Sequence, residues 1–309
     1  MNNFGLTVSL RKTVTLIWLT VFAYLRKLME ILPKEWYNIR AGGVTMIVIG
    51  TAGYSYEDWI GPIYPEDIDK KDLLAHYARE FKMSEINFTY YQMPNKFIFF
   101  HMQKKTPDDF IFIVKAHQSM THKIGHEVPF KEFMEACQPL IEAKKFGGIL
   151  AQFPWSFQND QKNREYLARM RDRIPDQTIF IEFRNDSWIK EPVFDYLQKL
   201  NLSYVAVDQP QLKGLIPPVC RATTDFGYIR FHGRNARKWW KHDHAYERYD
   251  YLYSLQELSE WSEKIQNLAK NLTRVYVSMN NHFQGKAVFN ARQLITMLNG
   301  YDGVMLDEN

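Results

Sequence analysis

From residue 46 onward, short apolar runs alternate with longer stretches in which apolar residues recur every three or four positions. Eight runs have strand character, rich in β-branched and aromatic residues and ending in polar ones: MIVIGTAGY (46–54), MSEINFTYY (83–91), DFIFIVKAH (109–117), GGILAQFPW (147–155), TIFIEFRND (178–186), LSYVAVDQP (202–210), FGYIRFHGRN (226–235) and RVYVSMNNHF (274–283). Helical periodicity fills the intervals at 69–82, 97–105, 129–145, 160–173, 191–200 and 255–272, with a last helix at 290–298. The interval between the sixth and seventh runs is different: LKGLIPPVCRATTD reads as loop, because Pro217 and Pro218 exclude a helix. Strand alternating with helix predicts a parallel sheet. Eight such strands within ~250 residues predict an α/β fold closed as a TIM-like (β/α)8 barrel, irregular around strands six and seven. An open doubly wound sheet is the competing arrangement, but no GxGxxG or P-loop follows the first strand.

The polar strand ends carry the candidate chemistry. In TIFIEFRNDSW (178–188) an apolar run delivers Glu182, Arg184 and Trp188 to one end of the sheet. Residues two apart on a strand share a face, so Glu182 and Arg184 lie side by side, and Glu85 and Asn87 do likewise. Lys115, Gln152, Asp208, Arg230 and His232 end other strands. A barrel interior is ordinarily filled by Val, Ile and Leu, so this many polar groups predict either an ion-pair network or a site at the C-terminal mouth.

Three chemistries fit those residues. Glu85 and Glu182, with His232, form a candidate acid/base set if their environments separate their pKa values. Lys115, His122, Arg184, Arg230, His232 and Arg234 form a candidate anion clamp, since guanidinium groups bind phosphate or carboxylate through paired hydrogen bonds, and the Gly233 N–H is placed to add another. A divalent metal on Glu85, Glu182, Asp208, His232 and His282 is the third reading. It is disfavoured by the absence of HxH or HExxH spacing among these five residues and by the neighbouring cations, so no cofactor is assigned. Asn280 and Asn281 add amide groups at the end of strand eight, and Tyr54, Tyr56, Trp59, Trp155 and Trp188 are either ligand platforms or rim packing. No GxSxG supports a serine nucleophile.

Composition narrows the partners. Of 309 residues, 46% are apolar, enough for a large core, and the two cysteines, Cys137 and Cys220, support neither a disulfide framework nor a thiolate metal site. A reducing, cytoplasmic setting is the natural expectation. The net charge of +4 resides in residues 1–45, which hold six Lys or Arg against two Glu, while the remainder holds 33 of each sign. A basic pI is therefore no argument for nucleic-acid binding. One basic and aromatic insertion, RNARKWWKHDHAYERYDYLY (234–253), does have the composition of a single-strand binder. Its other reading is a lid that packs Trp239 and Trp240 onto the mouth. In the N-terminal extension, the apolar run 13–25 is short of the ~20 residues that span a bilayer, so no stable membrane insertion is expected. Residues 1–45 are read either as an artefact of a start at Met46, with Gly42 and Gly43 encoded by a ribosome-binding sequence, or as a disordered or amphipathic surface segment. The barrel domain is assigned to 46–309.

The ordered segments IGTAGYSYEDWIGPIYP, SEINFTYYQMP, FIVKAHQSMTH, LAQFPWSF, EFRNDSW, VDQP, RFHGRN and NNHFQGKAVFNA resemble the successive signatures of domain of unknown function 72, the YecE-like family. The resemblance spans 46 to about 298 and departs from the pattern at Tyr54 and Ser84. It implies a TIM-barrel-like fold and no particular reaction. Taken together, the expectation is an enzyme-like mouth that binds a small anionic ligand, phosphorylated or sugar-like. If the protein is an enzyme, it is a hydrolase or isomerase with Glu85 and Glu182 as acid/base groups. Nucleic-acid binding through 234–253 is the alternative.

Overall fold

The computed structural model describes residues 45–125, 127–299 and 305–306. The readings for residues 1–44 lie outside the described residues. Eight strands alternate with helices: β1 (Met46–Ala52), β2 (Met83–Ile86), β3 (Ile111–Lys115), β4 (Phe146–Gln152), β5 (Ile179–Glu182), β6 (Ser203–Asp208), β7 (Phe226–Phe231) and β8 (Arg274–Met279). All pairings are parallel and each strand neighbours the next. β1 pairs with both β8 and β2, which closes the barrel. No helix is found between β6 and β7, as Pro217 and Pro218 dictate. A two-residue strand, β9 (Met305–Leu306), pairs with the start of β1 and has no counterpart in the sequence pattern.

The strands end earlier than their apolar and aromatic composition suggests. Beyond the barrel rim a chain finds few neighbours to bond, so the polar tails become loops after one further backbone contact, such as Phe153 N–H to Glu182 O at 2.9 Å and His232 N–H to Asp208 O at 2.8 Å. The second run shows this most clearly. After β2 the aromatic residues Phe88–Tyr91 form a helical turn, fastened by the Thr89 hydroxyl near the carbonyls of Ile86 and Lys115. The helix expected at 69–82 is regular only over Leu73–Tyr77, preceded by a 3-10 turn and followed by single hydrogen-bonded turns to Phe81. The last helix begins earlier than expected, at Lys286.

Helical periodicity supplies the outer layer. In Leu255–Ala269 the buried positions Leu258, Trp261, Ile265 and Ala269 recur every three or four residues, and Ser254 with Glu257 forms a capping box that fixes its start. Inside the barrel, Phe180 of β5 meets Tyr228 of β7 at 5.0 Å and Tyr276 of β8 at 5.8 Å between ring centroids. β5 and β8 are not neighbours, so these rings fill the interior. By the two-residue period of a strand, the next inward positions are Glu182, Arg230 and Ser278. The aromatic layer is thus the floor on which the polar layer rests.

The gap left by the missing helix is closed from the next one. Leu215 and Ile216 of the loop are buried, and Trp261 reaches across to give its indole N–H to Asp208 at 2.6 Å. On the opposite side, β1 approaches β2 so closely that a Cβ at Gly50 would lie 2.1 Å from the Met83 carbonyl oxygen. Gly50→Ala is expected to lower stability by about 2 kcal/mol or more, because the clash is with backbone in a close-packed interior. A urea titration in which the two proteins share one midpoint would refute that.

Candidate functional site

Arg230 stands at the centre of the polar layer with 1% of its surface exposed, between two fully buried carboxylates. Its Nε and Nη2 donate to Glu85 Oε2 and Oε1 at 2.7 and 2.5 Å, and its Nη1 donates to Glu182 Oε2. β7, β2 and β5 are thereby tied across the barrel. The Tyr228 hydroxyl, one inward position below Arg230, donates to Glu85 as well. Burying an isolated charge costs several kcal/mol, so this arrangement holds only because every carboxylate meets a guanidinium.

Glu182 carries three further relations. Arg184 Nη2 pairs with its Oε1 at 2.8 Å, as the two-residue spacing predicts. His232 Nε2 lies 3.1 Å from the same oxygen, and the Asn280 amide nitrogen lies 2.9 Å from His232 Nδ1. An amide N–H donates, so Nδ1 accepts and the ring proton is on Nε2, directed at Glu182. Burial and then Arg184 push His232 down to about 3, which keeps it neutral. Burial opposes the charge on Glu182, but Arg184 and Arg230 outweigh it and hold this carboxyl well below the usual range. Glu182 is therefore an ionised acceptor at neutral pH and His232 has both nitrogens engaged.

Above this layer opens a cavity of about 600 Å³. Glu85, Asn87, Lys115, Gln152, Arg184, Arg230 and Asn280 supply its polar wall, with Tyr54, Tyr56, Phe88, Tyr91, Tyr246 and Tyr249 on its aromatic side. Lys115, the last residue of β3, gives its ammonium to Gln152 Oε1 at 3.0 Å and sits over the Tyr90 ring at 4.9 Å. Among the described residues it has no carboxylate within ion-pair distance, and burial followed by Arg230 pushes it down to about 8. His282 stacks on Tyr56 at 4.3 Å and is pushed down to about 4 by burial. Asn87 Oδ1, Arg184 Nε and His282 Nδ1 are buried at this wall without a hydrogen-bond partner.

Other expected site residues lie elsewhere. Trp59 and Trp188 are fully buried: Trp188 stacks on Phe183 at 4.2 Å, and Trp59 gives its indole N–H to the His282 carbonyl. Their apolar bulk places them in the core rather than at the ligand face. His122 contacts Thr121 and the edge of Tyr90, beside the cavity rather than in its lining. Asp208 accepts from Arg234, Tyr253 and Trp261, and Arg234 continues to Glu257 at 3.0 Å, so both anchor the 234–253 segment. Asn281 bonds the Tyr251 carbonyl and Asn290. The Gly233 N–H is taken by the Tyr253 hydroxyl at 2.8 Å and is not free for a ligand. Tyr228, Gln209 and Tyr249 were not singled out by the sequence. Tyr228 was reachable by stepping back two residues from Arg230, whereas the irregular segment carrying Tyr249 gives no such period.

The 234–253 segment folds over the mouth. Trp239 is buried, with the Arg184 guanidinium 5.8 Å from its ring centroid and that of Arg248 at 5.3 Å, while Trp240 remains exposed. Lys238 pairs with Glu247 at 2.6 Å, Arg234 with Asp208, and Arg248 with the Trp239 carbonyl. Much of the segment's positive charge is thus spent internally. Among the described residues, no group of three or more His, Cys, Asp or Glu side chains is arranged to hold a metal, and no helix is long and apolar enough to cross a membrane.

Fold and site together define a closed, all-parallel (β/α)8 barrel with an arginine-bridged carboxylate pair beneath a polar and aromatic mouth. The profile of the family described as "Protein of unknown function DUF72" matches residues 48–308, and the chain belongs to that family. It is similar to the UPF0759 protein YunF of Bacillus subtilis, 33% identical over 270 residues, covering 82% of this chain and 95% of that one. Among solved structures it resembles a DUF72 family protein from Thermotoga maritima, with a TM-score of 0.76 and 40% identity over 82% of this chain and 99% of that one. Another from Enterococcus faecalis gives 0.73 and 30% over 82% and 96%.

Two outcomes follow from the bridge. Arg230→Met leaves Glu85 without its guanidinium and Glu182 with Arg184 alone, and is expected to cost about 3–5 kcal/mol in a denaturant titration. Acid should also act on His232: with the folded value depressed to about 3, the unfolded chain binds the extra proton first, so stability is complete above about 6.5 and falls as pH drops. The loss from this residue between pH 6.5 and 4 is on the order of 3 kcal/mol. His232→Gln should flatten that slope, and an unchanged slope would remove His232 from the account.

Proposed function

We propose that the mouth binds a small anionic ligand, phosphorylated or carboxylate-bearing, with a sugar-like body lying against the aromatic wall. The observation that carries this reading is the unequal matching of charge: Arg230 engages both carboxylates, leaving Lys115 without an acid partner and the Arg184 Nε without an acceptor. With His232 neutral, Lys115, Arg184 and Arg230 face only Glu85 and Glu182, so the cavity holds one uncompensated positive charge. Arg184 is the natural seat for the anion, because one edge of its guanidinium is already fixed by Glu182 and Gln209 while Nε is unused. Pre-organisation of this kind lowers the ordering cost of binding.

The carboxylates serve this reading as the frame that holds the guanidinium groups. An acid/base role for them is less well supported, since Glu182 is held ionised and Glu85 is engaged by both Arg230 and Tyr228. The nucleic-acid alternative has less behind it, because Trp239 faces inward and Lys238 and Arg234 are paired within the protein.

Isothermal titration with glycerol 3-phosphate and hexose phosphates, against glycerol and the free sugars, tests the reading. Phosphorylated compounds should bind selectively, and Arg184→Met should weaken them about tenfold or more, the worth of a hydrogen bond to a charged group. Failure of every phosphorylated and carboxylated compound to bind, or equal binding of the neutral ones, would sink it.

A further inference from the structure

We propose that Lys115 is a nucleophile: its side-chain amine condenses with a carbonyl group of the anionic ligand to form an imine, so the site takes phosphorylated or carboxylated aldehydes and ketones. This rests on the anion reading of the same cavity and adds a substrate class and a covalent step to it.

Position argues first. Lys115 ends β3 at the C-terminal mouth, where it lines the cavity. Gln152 Oε1 at 3.0 Å and the face of Tyr90 at 4.9 Å fix the stem, and neither can take the proton from an ammonium permanently. A lysine kept only as a positive charge would be expected to face a carboxylate. Here Glu85 and Glu182 are drawn to Arg230 and Arg184 instead, so the amine shares its cavity with two guanidinium groups. Like charges and burial both favour the neutral form. The groups facing Lys115 are Gln152, Tyr90, Arg184, Arg230, Glu85 and Glu182, with His122 across the Tyr90 ring kept neutral by burial, and burial together with the charges among them brings its titration down to about 8, within reach of neutral pH. An amine with a free lone pair in a partly dry pocket is the form that attacks carbonyls.

The step balances without an outside reagent. The Nζ lone pair forms the new C–N bond while the carbonyl π electrons move to oxygen, giving a carbinolamine. The two Nζ protons pass to that oxygen, which leaves as water, and the nitrogen lone pair closes the C=N bond. Arg184 holds the anionic end meanwhile, making the attack effectively intramolecular.

The test uses the full-length protein, glyceraldehyde 3-phosphate and dihydroxyacetone phosphate as probes, and sodium borohydride to reduce any imine to a stable secondary amine. Intact mass and peptide mapping should show one adduct, on Lys115, formed at a rate that rises through about pH 8 and suppressed by glycerol 3-phosphate. Lys115→Arg, confirmed folded by circular dichroism, should give no adduct; should it fail to fold, mapping of the unaltered protein decides alone. Labelling spread over exposed lysines, or no adduct under conditions where glycerol 3-phosphate binds, overturns the imine and leaves the anion reading standing. Absence of both adduct and glycerol 3-phosphate binding overturns the two together.

Discussion

A single guanidinium joins opposite walls of this barrel. Arg230, on β7, bonds Glu85 on β2 and Glu182 on β5, and none of these strands neighbours another in the sheet. The constraint is reciprocal: the carboxylates can be buried only because Arg230 is there, and Arg230 only because they are. An apolar layer of Phe180, Tyr228 and Tyr276 beneath seals the pair from below, and the Tyr228 hydroxyl joins the aromatic floor to the ionic ceiling. Replacing a buried ion pair by a well-packed apolar layer of similar volume is often neutral or stabilising in proteins, so the bridge is weak grounds for stability.

What it positions is a set of leftovers. Once Arg230 has engaged both acids, the remaining cations and amides at the mouth are held in place with part of their bonding capacity unused: Arg184 Nε, Asn87 Oδ1, His282 Nδ1 and the Lys115 amine. Unpaired buried polar atoms are costly. Three of these atoms, Asn87 Oδ1, Arg184 Nε and His282 Nδ1, belong to residues that line the one cavity, whereas others, Arg171 Nε and the Tyr204 hydroxyl among them, belong to residues outside its lining. The polar residues divide into two systems, one around Arg230 facing the cavity and one around Asp208 facing the covering segment.

The sequence exposed the barrel because its two periods, two in the strands and near four in the helices, are written directly in the order of apolar residues. It also exposed the same-face pairing of Glu182 with Arg184, a strictly local relation. It did not show that Arg230 would take both glutamates, since that depends on which strands lie opposite after closure, a property of the closed sheet and of no single segment. Asp208 and Arg230 look alike in the pattern, each a charge near a strand end. They part only when Trp261 and Tyr253 arrive from a distant helix and loop to claim Asp208. Strand two was read too long because Phe88, Tyr90 and Tyr91 favour strands, while the local hydroxyl of Thr89 turns the chain.

The covering segment is fastened at its ends and again in between, where Trp239 is buried beside Arg184, Tyr246 stacks on Phe283 and Asp250 pairs with Lys286. Asp208 grips Arg234 at one end and Tyr253 at the other, Asn281 holds the Tyr251 carbonyl, and Asn290 holds both polar backbone atoms of Tyr253. The clasps at the two ends belong to β6, to the loop after β8 and to the last helix, so the scaffold carries much of the fastening. Tyr246 and Tyr249, which reach the cavity, lie between those clasps. One wall of the cavity is thus built by the roof's aromatic side chains, while its charged floor is built by the strands.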